Sequence, residues 1–180
     1  MSAQRYDTVA IVLHWTIAVL IAVAFLLGLT VDTFPKAYEG AVVNTHVLIG
    51  LAVIILSLAR VGWRLTHRSP ALSRANGALV ETASKLIHAF LYLLMIVVPL
   101  IGVPTLLYRG RGIDFGVFQM PPLMPRTPEI FHPLTEVHEL TAYALVLLAL
   151  GHILAALYHQ FVLRDDLVRR MSLRPIAGKP

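Results

Sequence analysis

The chain of 180 residues contains no cysteine. This absence excludes disulfide bonds, iron–sulfur clusters and thiolate ligands, so a bound metal would depend on histidine, methionine or carboxylate side chains. Charge is also scarce, because 14% of the residues are charged and 57% are hydrophobic, and the mean hydropathy is +0.74. This composition departs from that of soluble domains and is typical of a chain embedded in a membrane.

Four apolar stretches are each close to the ~20 residues that a helix needs to cross the hydrocarbon core. They run over residues 10–31, 43–63, 84–107 and 137–162. The third contains Pro99 and Pro104, which we expect to kink the helix or to end it early. The sequence therefore predicts an all-α integral membrane protein whose single domain is a four-helix bundle.

Basic residues are distributed unequally between the two ends of these spans. The end with both termini carries eleven: Arg5, Arg60, Arg64, Arg68, Arg74, Lys85, Arg164, Arg169, Arg170, Arg174 and Lys179. The other end carries four: Lys36, Arg109, Arg111 and Arg126. The positive-inside rule then places both termini in the cytoplasm. The pI of about 9.9 reflects this topology and contact with anionic lipid, not nucleic-acid binding.

The connection between the third and fourth spans, residues 108–135, is long, contains many proline and glycine residues, and lies outside. Long connections in compact folds are often functional lids or binding elements. Several of its side chains are apolar enough to lie on the membrane surface: Phe115, Val117, Phe118, Met120 and Leu123.

Three histidines share one stripe of the fourth span. His138, His152 and His159 are 14 and 7 residues apart, and both intervals are close to whole numbers of helical turns. Ionisable side chains inside a membrane are unfavourable, face the bundle interior and indicate a functional site. His138 and His152 lie about 21 Å apart along the helix axis, which is too far for one metal but suits two centres stacked across a bilayer.

The predicted orientation gives each histidine a depth. His46 at the outer end of the second span matches His138, and His14 near the cytoplasmic end of the first span matches His152. Two imidazoles with a planar macrocycle between them fit the space between bundle helices. Each histidine alone is equally well explained as a hydrogen-bond partner of a neighbouring helix, but two matched pairs favour ligation. Zinc is disfavoured because it usually has three or four protein ligands.

Other polar residues lie near the two boundaries. His88 is either a ligand that competes with His14 or a polar group near an inner haem or a quinone. His159 is either an interfacial histidine or a proton donor to a quinone. Haem propionates need cations or hydrogen-bond donors, and the candidates are Arg60 at the inner boundary and Arg109, beside a glycine, at the outer one.

Taken together, these segments resemble the bacterial cytochrome b561 family, which is related to the cytochrome b subunit of nickel–iron hydrogenases. The resemblance is carried by L-H-W at 13–15, H-V-L-I-G at 46–50, A-R-V-G-W-R at 59–64, L-I-H-A-F-L-Y at 86–92, P-L-I-G at 99–102, Y-R-G at 108–110 and the run from 138 to 171. It implies a four-helix membrane bundle that binds two b haems. The implied axial ligands are His14, His46, His138 and His152.

The resemblance also implies electron transfer in the bacterial inner membrane, to or from the ubiquinone pool. Some members of the family oxidise superoxide outside and reduce ubiquinone, so a superoxide:ubiquinone oxidoreductase is the leading hypothesis. Superoxide is an anion, and its capture would need the four outer cations to cluster, because that side has a net charge of −2 by count. A second hypothesis is an electron-carrying membrane anchor for a dehydrogenase or hydrogenase, which requires a redox partner subunit. A third is a proton-coupled transporter that uses the histidines without haem.

Overall fold

The structure, a computed structural model, describes residues 5–67, 77–164 and 168–173. In these ranges it has four long helices: α1 (Thr8–Thr30), α2 (Lys36–Thr66), α3 (Gly77–Tyr108) and α4 (Pro128–Tyr158). Each is long and apolar enough to cross a membrane, which confirms the four predicted spans. Some basic residues counted for the orientation lie outside the described residues: Arg68, Arg74, Arg174 and Lys179.

Three of the helices begin well before the apolar stretches that predict them. α2 begins seven residues before position 43, α3 seven before 84 and α4 nine before 137. Hydropathy marks the segment that crosses hydrocarbon, whereas a helix continues into polar sequence as long as its backbone bonds are satisfied. α4 begins with Pro128 because proline is favourable in the first turn, where its missing N–H leaves no carbonyl unpaired.

The prolines in α3 do not end it. The helix passes through Pro99 and Pro104 and continues to Tyr108, so the expectation of an early end is wrong. Proline cannot donate to the carbonyl four residues earlier, but neighbouring helices and side chains can satisfy the freed groups in a membrane. Beside the second proline, the Thr105 hydroxyl donates to the Ile101 carbonyl of its own helix at 2.9 Å, so this buried hydroxyl is also satisfied within α3.

Both described ends of the chain lie at the same end of the bundle. Asp7 caps α1 by accepting from the Ala10 amide at 2.9 Å, and it also accepts from Trp63 Nε1 of α2 at 3.0 Å. A short 3₁₀-helix, Val168–Met171, packs beside it, and the Met171 carbonyl accepts from Trp15 Nε1 at 2.9 Å. We call this the inner end and the opposite one the outer end, following the predicted orientation.

The outer connection is shorter than the predicted 108–135, because residues 128–135 already belong to α4. The remainder contains a β-hairpin, β1 (Ile113–Asp114) paired antiparallel with β2 (Gln119–Met120), which is a small exception to the all-α prediction. Gly116 forms the turn with φ at 79°, a backbone conformation that favours glycine. At the tip, Val117 is 90% exposed.

The hairpin is attached to α2 through Asn44. Its side-chain amide donates to the Asp114 carbonyl at 2.8 Å, and its side-chain oxygen accepts from the Asp114 amide at 2.9 Å. The base of the connection is closed by a bond from the Thr127 amide to the Tyr108 carbonyl at 2.9 Å. Asn44 lies in the outer half of α2, so these two bonds fix the hairpin at the outer end of the bundle.

The helices pack in sequence order. α1 packs on α2, α3 packs on α4, and α2 joins the two hairpins by packing on α3. Across the described residues, α1 and α4 have little backbone contact, although the rings of Phe25 and Tyr143 meet edge to face at 5.7 Å. Many large apolar side chains point outward, such as Ile55 at 66% and Leu147 at 73% exposure. This surface suits lipid, where apolar exposure carries no hydrophobic penalty.

The Asn44 contact predicts how the hairpin responds to substitution. Asn44→Ala removes both bonds to Asp114 and should weaken hairpin attachment by about 1–3 kcal/mol. Amide hydrogen exchange over residues 113–120 should then accelerate. Thr45→Ala is the matched control, because the Thr45 hydroxyl bonds within its own helix, to the Ala41 carbonyl. Equal exchange rates in the Asn44 variant and the control would contradict the assignment.

Candidate metal centres

Two pairs of histidines face each other across the bundle. The rings of His14 in α1 and His152 in α4 have centres 6.4 Å apart, and those of His46 in α2 and His138 in α4 have centres 6.0 Å apart. The ring planes are nearly perpendicular, at 84° and 77°. The structure thus brings together the same two pairs that the depth argument selects.

The spacing of each pair fits a single metal ion between two imidazoles. Metal–imidazole bonds of about 2.0–2.1 Å, together with the half-width of each ring, place the ring centres roughly 6.3 Å apart. Within the described residues, no group of three or more histidine, cysteine or acidic side chains is positioned to hold a metal. Each centre therefore offers two protein ligands on opposite sides, which suits a metal whose other ligands come from a macrocycle.

The tautomer of the outer pair is fixed by backbone carbonyls. His46 Nδ1 lies 2.8 Å from the Ala24 carbonyl of α1, and His138 Nδ1 lies 2.9 Å from the Val98 carbonyl of α3. A carbonyl only accepts, so each Nδ1 carries the proton and donates it. Nε2 is then unprotonated and its lone pair is available to a metal.

The geometry favours His14 over His88 as the partner of His152. The His88 ring centre lies 5.1 Å from that of His152, which is shorter than two metal–imidazole bonds require. His88 Nδ1 donates to the Ser84 carbonyl of its own helix at 2.6 Å, a bond that leaves Nε2 unprotonated and does not itself decide between the two histidines. His88 therefore lies beside the inner pair rather than completing it.

A cleft of about 50 Å³ opens at the inner end beside these histidines. Its lining comes from α1, the end of α2, α3 and the 3₁₀-helix: Tyr6, Asp7, Ala10, Arg60, Trp63, Arg64, His67, His88, Tyr92 and Met171. Arg60 Nε donates to the Tyr92 hydroxyl at 3.0 Å. The Arg60 charge also lies within electrostatic range of His14, His88 and His152. The predicted inner cation is thus placed beside all three inner histidines.

His159 lies apart from this cleft. It begins a π-helical segment, His159–Leu163, that ends at Arg164 with φ at 54°. α4 is regular up to Tyr158 and the π turn begins only at His159, which is not among the residues that line the cleft. The two histidines predicted to serve a quinone, His88 and His159, are therefore not brought into one cleft.

Arg109 lies at the outer end near His138, and its charge is within electrostatic range of that ring. Its Nη2 donates to the Thr135 hydroxyl at 3.2 Å, while its Nε is buried without a hydrogen-bond partner among the described residues. Such an unpaired buried donor is unfavourable. A carboxylate bound there would satisfy it, which fits the expectation that Arg109 holds a propionate.

The four outer cations form two groups. Lys36 and Arg111 both pair with Glu39, at 2.9 and 3.3 Å, so their two charges are partly neutralised. Arg109 and Arg126 both lie over the buried ring of Phe131, with guanidinium carbons 5.3 and 5.7 Å from its centre. Among the described residues, no carboxylate is shown paired with Arg109 or Arg126, so these two form the more cationic group.

Two residues at these sites were not predicted from the sequence. Tyr92 follows His88 by four residues, so their shared helix face was a usable signal. Glu39 stands three residues after Lys36, so that pair was also foreseeable. The contact from Glu39 to Arg111 depends on the fold of the outer connection, so no local sequence pattern predicts it.

Four membrane-spanning helices with histidines facing each other in pairs define the class of helical membrane proteins that bind a metal–macrocycle cofactor between helices. A sequence model of the family described as prokaryotic cytochrome b561 matches residues 5–172. The chain belongs to the prokaryotic cytochrome b561 family. Haem b binding and membrane electron transfer follow from this membership.

Relatives match the chain over nearly their whole length. Cytochrome b562 of Cereibacter sphaeroides is 32% identical over 179 residues, which cover 94% of this chain and 96% of the relative. Cytochrome b561 homolog 1 of Escherichia coli is 26% identical over 173 residues, covering 95% and 98%. A protein of Yersinia pestis named probable superoxide oxidase CybB is 27% identical over 175 residues, covering 93% and 96%.

Proposed function

We propose that the chain is a di-haem b-type cytochrome of the bacterial inner membrane that carries electrons to or from ubiquinone. The observation that carries this proposal is the presence of two histidine pairs whose ring centres are 6.0 and 6.4 Å apart. Haem b supplies a one-electron ferric–ferrous couple when it is bound. At each centre two histidines would hold the haem, and a haem held by two protein side chains would favour electron transfer over ligand binding at the iron.

Each of the two proposed centres has its own pair of histidines and its own arginine. His46 and His138 hold the outer haem, and His14 and His152 hold the inner one. Arg109 is positioned to bind a propionate at the outer centre, because its Nε is buried and unpaired among the described residues. Arg60 has the corresponding role at the inner centre, where it lies beside the inner pair.

The inner cleft is the proposed site for a quinone headgroup. Reducing a quinone consumes two protons as well as two electrons, so a donor beside the carbonyl oxygens is required. His88 lies in this cleft with Arg60 and Tyr92, and a near-neutral imidazole can supply such a proton. His159 is the second candidate, and it would act from the adjacent π-helical segment.

Superoxide is the proposed electron donor at the outer end. Two superoxide anions would give one electron each and leave as dioxygen, and one ubiquinone would take both electrons with two protons to become ubiquinol. The relative named probable superoxide oxidase supports this donor. Arg109 and Arg126, at the outer end, supply positive charge for an anion.

A second candidate function is an electron-carrying membrane anchor for a dehydrogenase or hydrogenase. The observation that favours it is the exposed apolar tip of the hairpin, where Val117 is 90% and Phe118 59% exposed. An apolar tip fixed at the outer end of the bundle is a surface that a redox partner could cover. A histidine-based transporter without haem is disfavoured, because the chain belongs to a cytochrome family.

Haem stoichiometry tests the two centres. The pyridine-haemochrome assay on purified protein should give two haems per chain, and His46→Ala and His152→Ala should each leave about one. His132→Ala is the control, since His132 contacts Phe131 in the first turns of α4 and should leave both haems bound. One haem in the unaltered protein, or unchanged content in both ligand variants, would refute the assignment.

Substitution of His88 tests the quinone site. His88→Gln should slow haem oxidation by a ubiquinone analogue at least ~10-fold, because a positioned proton donor contributes ~10²–10⁴-fold. Its haem content should stay at the unaltered level, which separates proton donation from ligation. His159→Gln examines the second candidate under the same conditions. Unchanged rates in both variants would show that neither histidine serves the quinone.

Salt dependence and a single charge change test superoxide capture. Fast reduction of the oxidised protein by superoxide should slow as salt increases, because steering is screened within about 10 Å at 0.1 M. Arg126→Gln should slow reduction about twofold or more. Lys85→Gln removes the same charge from the inner end, where Lys85 pairs with Glu81, and should have no effect. Slow, salt-independent reduction with a stoichiometric co-purifying protein would favour the anchor.

A further inference from the structure

Each histidine of the outer pair donates a hydrogen bond to a backbone carbonyl of a neighbouring helix, next to a glycine of that helix. The carbonyl that accepts from His46 belongs to Ala24, four residues before Gly28, and the one that accepts from His138 belongs to Val98, four residues before Gly102. In a helix, the side chain at position i+4 lies over the carbonyl of position i. Glycine at that position therefore leaves the carbonyl open to a ring from a neighbouring helix.

The space left by each glycine is the space that the ring occupies. A Cβ added to Gly28 would lie 3.3 Å from His46 Cε1, and one added to Gly102 would lie 3.1 Å from His138 Cε1. Both separations are tighter than ordinary van der Waals contact. Alanine at either position would push the imidazole away from its carbonyl.

The inner pair lacks this arrangement. In the part of the chain that the structure describes, neither ring of His14 or His152 donates a hydrogen bond to a backbone carbonyl. Gly151 is next to His152 in α4, and apart from its chain neighbours a Cβ added there would meet nothing within 4 Å, so no ring from another helix lies against it. The two centres therefore differ in the partners of their ligands, although each consists of two imidazoles.

We propose that Gly28 and Gly102 are positioning residues that keep the outer ligands hydrogen-bonded to helix carbonyls and so hold the outer centre at a lower midpoint potential than the inner one. The inference rests on the proposed di-haem function. An imidazole that donates its Nδ1 proton to a carbonyl is a more basic ligand, and a more basic ligand stabilises the oxidised iron. Electrons that enter at the outer end then pass to the inner centre with a favourable change in free energy.

The test compares two pairs of glycine variants by redox titration of the haem absorbance. Gly28→Ala and Gly102→Ala should each shift the lower-potential one of the two titration waves to higher potential and leave the other wave unmoved. The double variant should shift that wave further. Gly40→Ala and Gly62→Ala are matched controls, because neither is next to a proposed ligand and nothing beyond the chain neighbours lies within 4 Å of a Cβ at either position, and they should shift neither wave. Alanine is the better helix former, so the controls should fold at least as well.

The outcomes separate the inference from the function on which it rests. Two haems in the unaltered protein, with no shift in the Gly28 and Gly102 variants or with shifts in different waves, would overturn the inference alone. Shifts of equal size in the control variants would also overturn it. A single haem in the unaltered protein would overturn the proposed function and the inference with it.

A second measurement applies if alanine expels a haem instead of shifting its potential. In the reduced, diamagnetic protein labelled with ¹⁵N-histidine, the ring N–H groups of the ligands can be followed by NMR after transfer to D₂O. Two of the four ligand N–H groups should exchange slowly, because they are bonded to helix carbonyls. Equal exchange of all four would overturn the inference without any variant.

Discussion

An imidazole inside an apolar bundle needs a partner for each of its nitrogens, and the rest of this structure depends on that constraint. An unpaired donor or acceptor is unfavourable where no water is present. For His46 and His138 the donor is satisfied by a helix carbonyl, which leaves the other nitrogen directed away from the backbone. A metal bound between the rings would satisfy that second nitrogen. The same bonds fix α2 against α1 and α4 against α3, so the ligands and the helix packing are stabilised together.

The fold was largely predictable because its dominant signal is hydropathy, which requires no knowledge of neighbours. The helix ends were not, since residues such as those at 36–42 and 128–136 continue a helix in polar sequence where the hydropathy signal fades. Pro99 and Pro104 were misleading, because proline interrupts helices in water more readily than in lipid. The hairpin could not be predicted, because its strands have two residues each and are too short to show an alternating apolar–polar pattern.

The pairing of the histidines could be predicted from the sequence, whereas the surroundings of their rings could not. Matching His46 with His138 and His14 with His152 requires only helix geometry and a topology. The rings of the outer pair donate to backbone carbonyls, and every residue has such a carbonyl, so the sequence does not show which ones accept. The only sequence signal is glycine at Gly28 and Gly102, which leaves the carbonyl four residues earlier accessible to a ring. Glu39 pairs with Arg111 only because the outer connection returns to α2, and no sequence spacing predicts that path.

The packing order of the helices has a consequence for how such a protein is assembled. α1 with α2 and α3 with α4 form two helical hairpins, joined through α2 and α3, while α1 and α4 have little backbone contact in the described chain. Each hairpin can therefore enter the bilayer as a unit and pack before the bundle is complete. Both histidine pairs span the gap between the first hairpin and α4. A cofactor that binds between these histidines would then join α4 to the first hairpin late in assembly. The side between α1 and α4 is where it could enter from the lipid.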